Sequence, residues 1–310
     1  MIAGLLNPSE GETLIAGKRV NDVPIHKRNL GLVFQNYALF PHKGVADDLA
    51  FGLRYRNVAR SDIARRVQGA LELVQPPYVA DRYPKALSGG QQQRIALARA
   101  IMIEPDVLRP DEPLSALDAN LREDMRVVFK RIQKRIGVTT VFVTHDQSEA
   151  LAMSDQIVVM SNGRVEQVGA PEAVYDTPAS EFVARFLGAS NILDGHCLSR
   201  GADGAVLDVP VFGKVAVPSV KAPHLVGEGA AKLVVRAKKL LLRVHPPGGG
   251  TFSAPASVET VDYQGQSVRY FVRSGDTQLQ AINMIDERSF PVGATMHLTL
   301  RPQDCVALPG

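Results

Sequence analysis

Apolar and polar residues follow two different patterns along this chain, and the change comes near Gly188. From Leu30 to about Gly188, short apolar runs alternate with segments of helical periodicity. This alternation predicts strand–helix units that build a mainly parallel sheet. After Gly188 the runs become short and β-like, separated by glycine and proline, which is typical of small barrels. The sequence therefore predicts an α/β domain over residues 1–188 and an all-β domain over residues 189–310.

Several elements can be predicted from local patterns. Apolar residues at helical spacing predict an amphipathic helix over Arg122–Ile136, and Gly137 follows where a C-terminal cap belongs. Val138–Val143 predicts a buried strand, and Asn162-Gly163 predicts a tight turn between two hairpin strands. Further strands are predicted at 30–34, 156–160, 164–168, 206–209, 214–217, 233–236, 257–261, 267–272 and 296–300, with an open loop at 246–250.

Composition and charge narrow the possible functions. Of the 310 residues, 45% are apolar and 22% charged, as in ordinary globular proteins. The formal net charge of +3 comes without a basic run, which argues against nucleic acid as a partner. No apolar stretch reaches the roughly 18–20 residues that crossing a bilayer requires. Cys197 and Cys305 are not in a metal-binding spacing and are expected to be buried, inert thiols in a reducing compartment.

A glycine-rich helix start is the first candidate site. Ser88, Gly89, Gly90 and Gln91 precede a predicted helix over Gln92–Met102. Two glycines leave backbone N–H groups uncovered, and together with the positive helix end they suit a phosphate group. Taken alone, the same residues are more commonly an ordinary helix cap, with Ser88 as its first residue.

Polar side chains also follow three predicted strands. Asp111 and Glu112 come after an apolar run, His145 follows Val138–Val143, and Gln35 follows 30–34. Because ligands of open parallel sheets bind at the carboxyl ends of the strands, these side chains are expected to share one rim. Side chains alternate along a strand, so Asp111 and Glu112 can face a metal ion and an attacking water respectively. Each residue alone would more often be structural, but their convergence favours a site.

Taken together, these residues resemble the ATP-binding subunits of ABC transporters over most of residues 1–188. Gln35 resembles the Q-loop glutamine, Leu87–Gln91 the signature motif, and Asp111 and Glu112 the Walker B aspartate and catalytic glutamate. Residues 115–118, including Asp118, resemble the D-loop, and His145 resembles the switch histidine.

The resemblance implies a function and partners. It implies an ATPase domain of P-loop type that uses ATP and Mg²⁺, with Gln35 and Asp111 as metal ligands and Glu112 and His145 as catalytic residues. It implies a head-to-tail dimer with a second ATPase subunit, in which Ser88, Gly89, Gly90, Gln91 and Asp118 contact the nucleotide. Membrane permease subunits would be contacted near residues 35–42, at the cytoplasmic face of the plasma membrane.

The second domain also has a resemblance. It is similar to the regulatory OB/TOBE-like barrel of importers of polyamines, sugars, iron and related solutes. Asn191-Ile192-Leu193 favours the polyamine group, with spermidine and putrescine as solutes.

The chain departs from this family in two places. The phosphate-binding loop Gly-x-x-x-x-Gly-Lys-[Ser/Thr] is not found, and Met1–Leu6 resembles the end of the helix that follows it. The ATPase domain is therefore expected to be incomplete, with unpaired strand edges and very poor unaided nucleotide binding. Arg109-Pro110 is the second departure, because a buried parallel strand should be apolar. A lost hydrogen bond and an unpaired buried arginine would cost on the order of a few kcal/mol.

Three hypotheses follow. The chain is an importer ATPase whose true start lies upstream of Met1, or a truncated and catalytically inactive product that retains partner binding but not ATP binding. A third is an ABC-type ATPase that acts on DNA, but such proteins usually need a long coiled-coil insertion, and no sustained heptads occur here.

Overall fold

The computed structural model describes residues 1–56, 58–74, 77–115, 117–246, 248, 250–285 and 289–310. Two compact units are present, Met1–Met153 and Ser154–Gly310. The domain boundary predicted near Gly188 falls within the second unit and stays a prediction. Residue 116 of the predicted D-loop and residues 247 and 249 of the predicted open loop lie outside the described residues.

The first unit combines a parallel sheet with helices, in agreement with the α/β prediction. Its sheet has the strand order β3-β4-β5, and β1 and β2 form a separate small antiparallel pair. The strands are β1 (Leu14–Ile15), β2 (Lys18–Arg19), β3 (Leu30–Val33), β4 (Val107–Pro110) and β5 (Thr139–Thr140). The helices are α1 (Val45–Arg54), α2 (Arg60–Val74), α3 (Gly89–Ile101), α4 (Ala119–Ile136) and α5 (Gln147–Met153).

The helices of this unit follow their apolar patterns. Helix α3 lies in the core, where Ile95 and Leu97 are fully buried. Helix α4 is amphipathic and buries only one face, which includes Met125 and Phe129. It ends at Gly137, whose φ of 67° is the left-handed cap that the sequence predicts.

Strand β5 is shorter than the sequence predicts, and Pro110 of the neighbouring strand is the physical reason. The Val141 N–H donates to the Leu108 carbonyl at 2.9 Å and the Val143 N–H donates to the Pro110 carbonyl at 3.3 Å. Between them, proline has no N–H to return a hydrogen bond. The regular ladder therefore stops after Thr140, and only an isolated bridge between Asp111 and Val143 continues it.

Replacing Pro110 with alanine should stabilise the first unit. Alanine supplies the missing N–H without adding bulk at a buried position, and a typical net gain is about 1 kcal/mol. Urea unfolding followed by helical circular dichroism should show a higher midpoint. A midpoint equal to or below that of the wild type would contradict this explanation of the short strand.

The second unit is dominated by antiparallel strands. A hairpin of β6 (Ile157–Ser161) and β7 (Arg164–Gly169) turns at Asn162 and Gly163, which both have positive φ, as predicted for that pair. Two short helices, α6 (Pro171–Asp176) and α7 (Glu181–Phe186), follow. One sheet has the order β10-β9-β8-β11-β17 and the other the order β12-β16-β13-β14-β15. Their strands are β8 (Ser190–Gly201), β9 (Gly204–Val209), β10 (Gly213–Pro218), β11 (Gly229–Arg236), β12 (Leu241–Arg243), β13 (Phe252–Tyr263), β14 (Ser267–Ser274), β15 (Thr277–Met284), β16 (Thr295–Leu300) and β17 (Cys305–Pro309).

Two asparagine side chains make hydrogen bonds between strands that are not neighbours within a sheet. Asn283 on β15 accepts from the Leu242 N–H at 2.9 Å and donates to the Leu240 carbonyl at 3.0 Å, which links β15 to the far edge strand β12. Asn191 on β8 exchanges two hydrogen bonds of 2.8 Å with the backbone of Gln280. The Asn283 amide thus takes the place of a backbone ladder between the two edges of the second sheet and closes it into the predicted small barrel, while Asn191 joins that sheet to the first.

Both thiols are buried, as expected from the sequence. Cys197 and Cys305 are free cysteines in the second unit. Burial raises the pKa of the Cys305 thiol to about 12, so it stays protonated and unreactive at neutral pH. None of the helices in the described residues is both long and apolar enough to cross a membrane.

Candidate functional site

The ends of three parallel strands bring the predicted rim residues together. The Asp111 N–H donates to the Val33 carbonyl at 2.9 Å, and the Glu112 N–H donates to the Val143 carbonyl at 3.0 Å. Gln35 follows Val33 by two residues, and His145 follows Val143 by two. The backbone therefore fixes Gln35, Asp111, Glu112 and His145 at one edge of the sheet.

The Glu112 carboxylate lies between the other two side chains of this rim. Its Oε2 accepts from the Gln35 amide at 3.1 Å, and its Oε1 lies 3.1 Å from His145 Nδ1. An ionised carboxylate can only accept, so it favours the tautomer that carries the proton on His145 Nδ1. The His145 side chain is 73% exposed, which leaves its Nε2 accessible to a ligand. The arrangement can hold Glu112 ready to accept a proton from a water molecule.

The backbone at Glu112 is strained. Its φ is 44°, in the left-handed region that residues other than glycine seldom occupy. Hydrogen bonds maintain this conformation, because Ser115 Oγ donates to the Glu112 carbonyl at 3.0 Å and Gln35 also donates to Ser115 Oγ at 3.2 Å. Strain of this kind concentrates at functional sites, where it fixes the direction of a side chain.

His145 is supported by the residue that follows it. Asp146 lies 3.6 Å from Arg122 and 3.9 Å from Arg126, both on α4, and it accepts from the Ser148 N–H at 2.8 Å. Burial acts to raise the pKa of Asp146, but hydrogen bonds from Ser148 and the Glu149 N–H, together with Arg126, hold the pKa below its ordinary value. The stabilisation from this carboxylate is therefore present at neutral pH and is lost only as the pH falls through the lowered pKa.

Asp111 is paired with the unusual arginine of β4. Arg109 Nη2 lies 3.2 Å from Asp111 Oδ2, and the two side chains are 23% and 40% exposed. The expectation of an unpaired buried arginine is therefore wrong. Residues two apart on a strand point to the same face, so Arg109 reaches the carboxylate of its own strand.

The glycine-rich turn forms the start of α3. Ser88 Oγ accepts from the Gln91 N–H at 3.4 Å, and the Gln91 side chain accepts from the Ser88 N–H at 3.0 Å. This capping box is the ordinary cap that the sequence also allowed. Gly90 packs closely against α4, because a side chain there would meet Leu121 at 2.8 Å and Leu121 would have to move, whereas Gly89 is exposed and nearly unobstructed. The anion-binding role of Ser88, Gly89, Gly90 and Gln91 stays a prediction.

Asp118 has a structural role in this unit. Its carboxylate accepts from the Leu121 N–H at 3.0 Å and caps α4. This hydrogen bond joins residues three positions apart in one chain and says nothing about a ligand, so the predicted nucleotide contact of Asp118 stays a prediction.

Three residues near the site were missed by the sequence reasoning. Asp48 is fully buried on α1, where it accepts from the Phe40 N–H at 2.9 Å and pairs with Arg99 of α3 at 3.3 Å. Gln93, also fully buried on α3, donates to the Pro113 carbonyl just after Glu112. A polar residue on the apolar face of a helix was the available signal for Gln93.

Some of the residues that the resemblance assigns to ATP and Mg²⁺ lie together at this rim. The half-exposed Asp111 carboxylate and the Gln35 amide offer the oxygen ligands that Mg²⁺ prefers. Among the described residues, no group of three or more His, Cys, Asp or Glu side chains is placed to hold a metal ion. The 310 residues also contain no Gly-x-x-x-x-Gly-Lys-[Ser/Thr] sequence. The rim therefore offers some oxygen ligands, and its role toward ATP and Mg²⁺ stays a prediction.

Comparisons with known proteins agree with the domain types predicted for the two parts of the chain. A family model described as ABC transporter matches residues 1–115, and one described as TOBE domain matches residues 233–308. The chain is 44% identical to a spermidine/putrescine import ATP-binding protein PotA of Oleidesulfovibrio alaskensis, over 88% of this chain and 73% of the relative. It is 42% identical to the PotA of Thermobifida fusca, over 100% and 81% of the two chains.

Two further relatives broaden the comparison. An Fe(3+) ions import ATP-binding protein FbpC of Fusobacterium nucleatum is 39% identical over 97% of this chain and 79% of its own. Among solved structures, cbiO1 from Clostridium perfringens, described as part of the ABC transporter complex cbiONQ, matches with a TM-score of 0.53 at 32% identity. That match covers 56% of this chain and 71% of the other.

Proposed function

This chain belongs to the ABC transporter family, as an importer ATP-binding subunit, and the members of this family are ATPases. We propose that it energises the uptake of spermidine and putrescine. The placement of Glu112 between Gln35 and His145, at 3.1 Å from each, carries the ATPase part of this proposal. A carboxylate with two fixed partners and an exposed rim suits activation of a water molecule.

The roles of the rim residues follow from their chemistry. Glu112 orients the attacking water and takes its proton. His145 donates from Nδ1 to Glu112, and when its second ring nitrogen also carries a proton, Nε2–H can donate to the phosphoryl group that is transferred to water. Asp111 and Gln35 would hold the metal, which would supply charge neutralisation at the phosphates when bound. Ser88 to Gln91 serve the nucleotide of a second copy in a head-to-tail dimer, which agrees with the exposed, unobstructed face of Gly89.

A permease contact is proposed beside Gln35. Tyr37 and Ala38 both have positive φ, and Arg99 donates to their carbonyls at 3.1 and 2.8 Å. Next to this fixed turn, the rings of Phe40, Phe51 and Tyr55 form a row with centroid separations of 4.6 and 5.0 Å. Tyr55 is 77% exposed, so the row offers an apolar surface to a membrane subunit. The chain would then lie peripherally at the cytoplasmic face.

Our assignment of the solute is based on the names of the similar proteins. Relatives named for spermidine/putrescine import are 39–46% identical to this chain, and a relative named for Fe(3+) import is 39% identical. Solutes do not contact this type of subunit, so the transported solute is determined by the permease that the subunit binds.

Uptake by whole cells tests this proposal. The protein, expressed from its own gene, should restore uptake of labelled spermidine and putrescine in bacteria that lack only their own polyamine-import ATPase subunit. Labelled ferric ion in a strain deficient in the iron ATPase subunit provides the comparison. Restored iron uptake without polyamine uptake would replace the solute assignment, and restoration of neither by well-expressed protein would overturn the importer role.

A further inference from the structure

The Arg109–Asp111 ion pair places a cation where the proposed function requires a divalent metal. Arg109 Nη2 contacts Asp111 Oδ2 at 3.2 Å. Within the described part of the chain, neither residue forms a second ion pair. An arginine side chain stays charged at every physiological pH, so it cannot release the carboxylate by losing a proton.

The geometry of the strand keeps the guanidinium in this position. Arg109 and Asp111 lie on the same face of the chain at the end of β4, and Arg109 is mostly shielded from water. Gln35, the other proposed metal ligand, directs its amide N–H groups to Glu112 and Ser115. Asp111 is thus the one anionic metal ligand proposed at this rim, and its charge is already balanced.

We propose that Arg109 is a tethered competitor that lowers the affinity of Asp111 for divalent cations. This inference rests on the proposed function, which assigns Asp111 to the metal. A divalent ion must displace the guanidinium or bind beside a positive charge, and either event weakens binding. Arg109 thereby sets the concentration of divalent cation at which Asp111 becomes occupied.

Removing the charge should leave the fold intact, because a partly exposed ion pair contributes little to stability. Leucine is the apolar type of residue that a buried parallel strand prefers. Arg109→Gln, which keeps a polar side chain of moderate length, is a second variant in case Arg109→Leu folds poorly.

The test measures binding of Mn²⁺ alone, without nucleotide, from the loss of its free electron paramagnetic resonance signal on titration. Arg109→Leu and Arg109→Gln should bind with a dissociation constant about tenfold lower than that of the wild type. Arg65→Leu is the matched control, because it removes the same charge from an exposed ion pair with Asp62. It should bind Mn²⁺ as the wild type does.

Asp111→Asn, made alone and with Arg109→Leu, separates the possible failures. Tighter binding by the Arg109 variants that disappears with Asp111→Asn supports the proposal. If Asp111→Asn weakens binding but the Arg109 variants match the wild type, the competition is refuted while Asp111 remains a metal ligand. If Asp111→Asn has no effect in either background, or the Arg109 variants bind no Mn²⁺, both the competition and the metal assignment of Asp111 fail.

Discussion

Replacing Glu112 with glutamine should reduce ATP hydrolysis by the assembled transporter by about 100-fold or more. Glutamine retains the size of the side chain and one acceptor oxygen, so the contact with Gln35 can persist. It cannot take a proton from water. Phosphate release by the protein purified from its own gene with its membrane partners measures the effect.

A matched control distinguishes this loss from a general effect of removing a negative charge. Glu104 is an exposed glutamate in the same unit, and its partner is Arg66 at 2.9 Å. Glu104→Gln should leave hydrolysis within about twofold of the wild type, since weak surface pairs contribute little. If Glu112→Gln retained more than a tenth of the wild-type rate, Glu112 would not be the catalytic base.

Replacing Asp48 with alanine should destabilise the first unit by about 3 kcal/mol. The substitution removes the acceptor of the Phe40 N–H and leaves Arg99 without its carboxylate in a buried position. Arg99 also fixes the turn at Tyr37 and Ala38, so the loss should extend to the segment beside Gln35. Urea unfolding followed by helical circular dichroism gives the free energy.

The exposed pair of Asp62 and Arg65 offers the comparison for this variant. Its atoms are 3.1 Å apart and both side chains are largely exposed. Asp62→Ala should change the free energy of unfolding by less than about 1 kcal/mol. If the Asp48 and Asp62 substitutions changed the free energy of unfolding equally, burial would not make the Asp48–Arg99 pair more stabilising than an exposed pair.

The sequence predicts those parts of the fold that depend on local patterns. Strand ends in a parallel sheet share an edge, so the order of strands and polar residues along the chain is enough to group Gln35, Glu112 and His145. Gly137 and the Asn162-Gly163 turn require positive φ, which a sequence pattern shows directly. The ABC-type α/β class and the small barrel are both confirmed.

Other features could not be predicted because they depend on distant partners. Strand β15 buries Leu279 and Ala281 but carries Ile282 and Met284 on its other face, so its apolar and polar residues do not alternate cleanly. The pairing of Asn191 with Gln280 joins residues 89 positions apart. The Arg109–Asp111 pair was predictable in principle, since residues two apart on a strand share a face. The shortening of β5 required knowing that Pro110 lies opposite it.

Strands β15 and β12 are joined through the Asn283 side chain, whereas neighbouring strands of the sheet are joined by backbone hydrogen bonds. Two backbone groups, at Leu240 and Leu242, depend on a single side chain whose rotation releases both at once. A continuous ladder such as that between β13 and β14 must break many hydrogen bonds before it separates. We therefore expect transient opening of the barrel to begin between β12 and β15, where its interior would be exposed first.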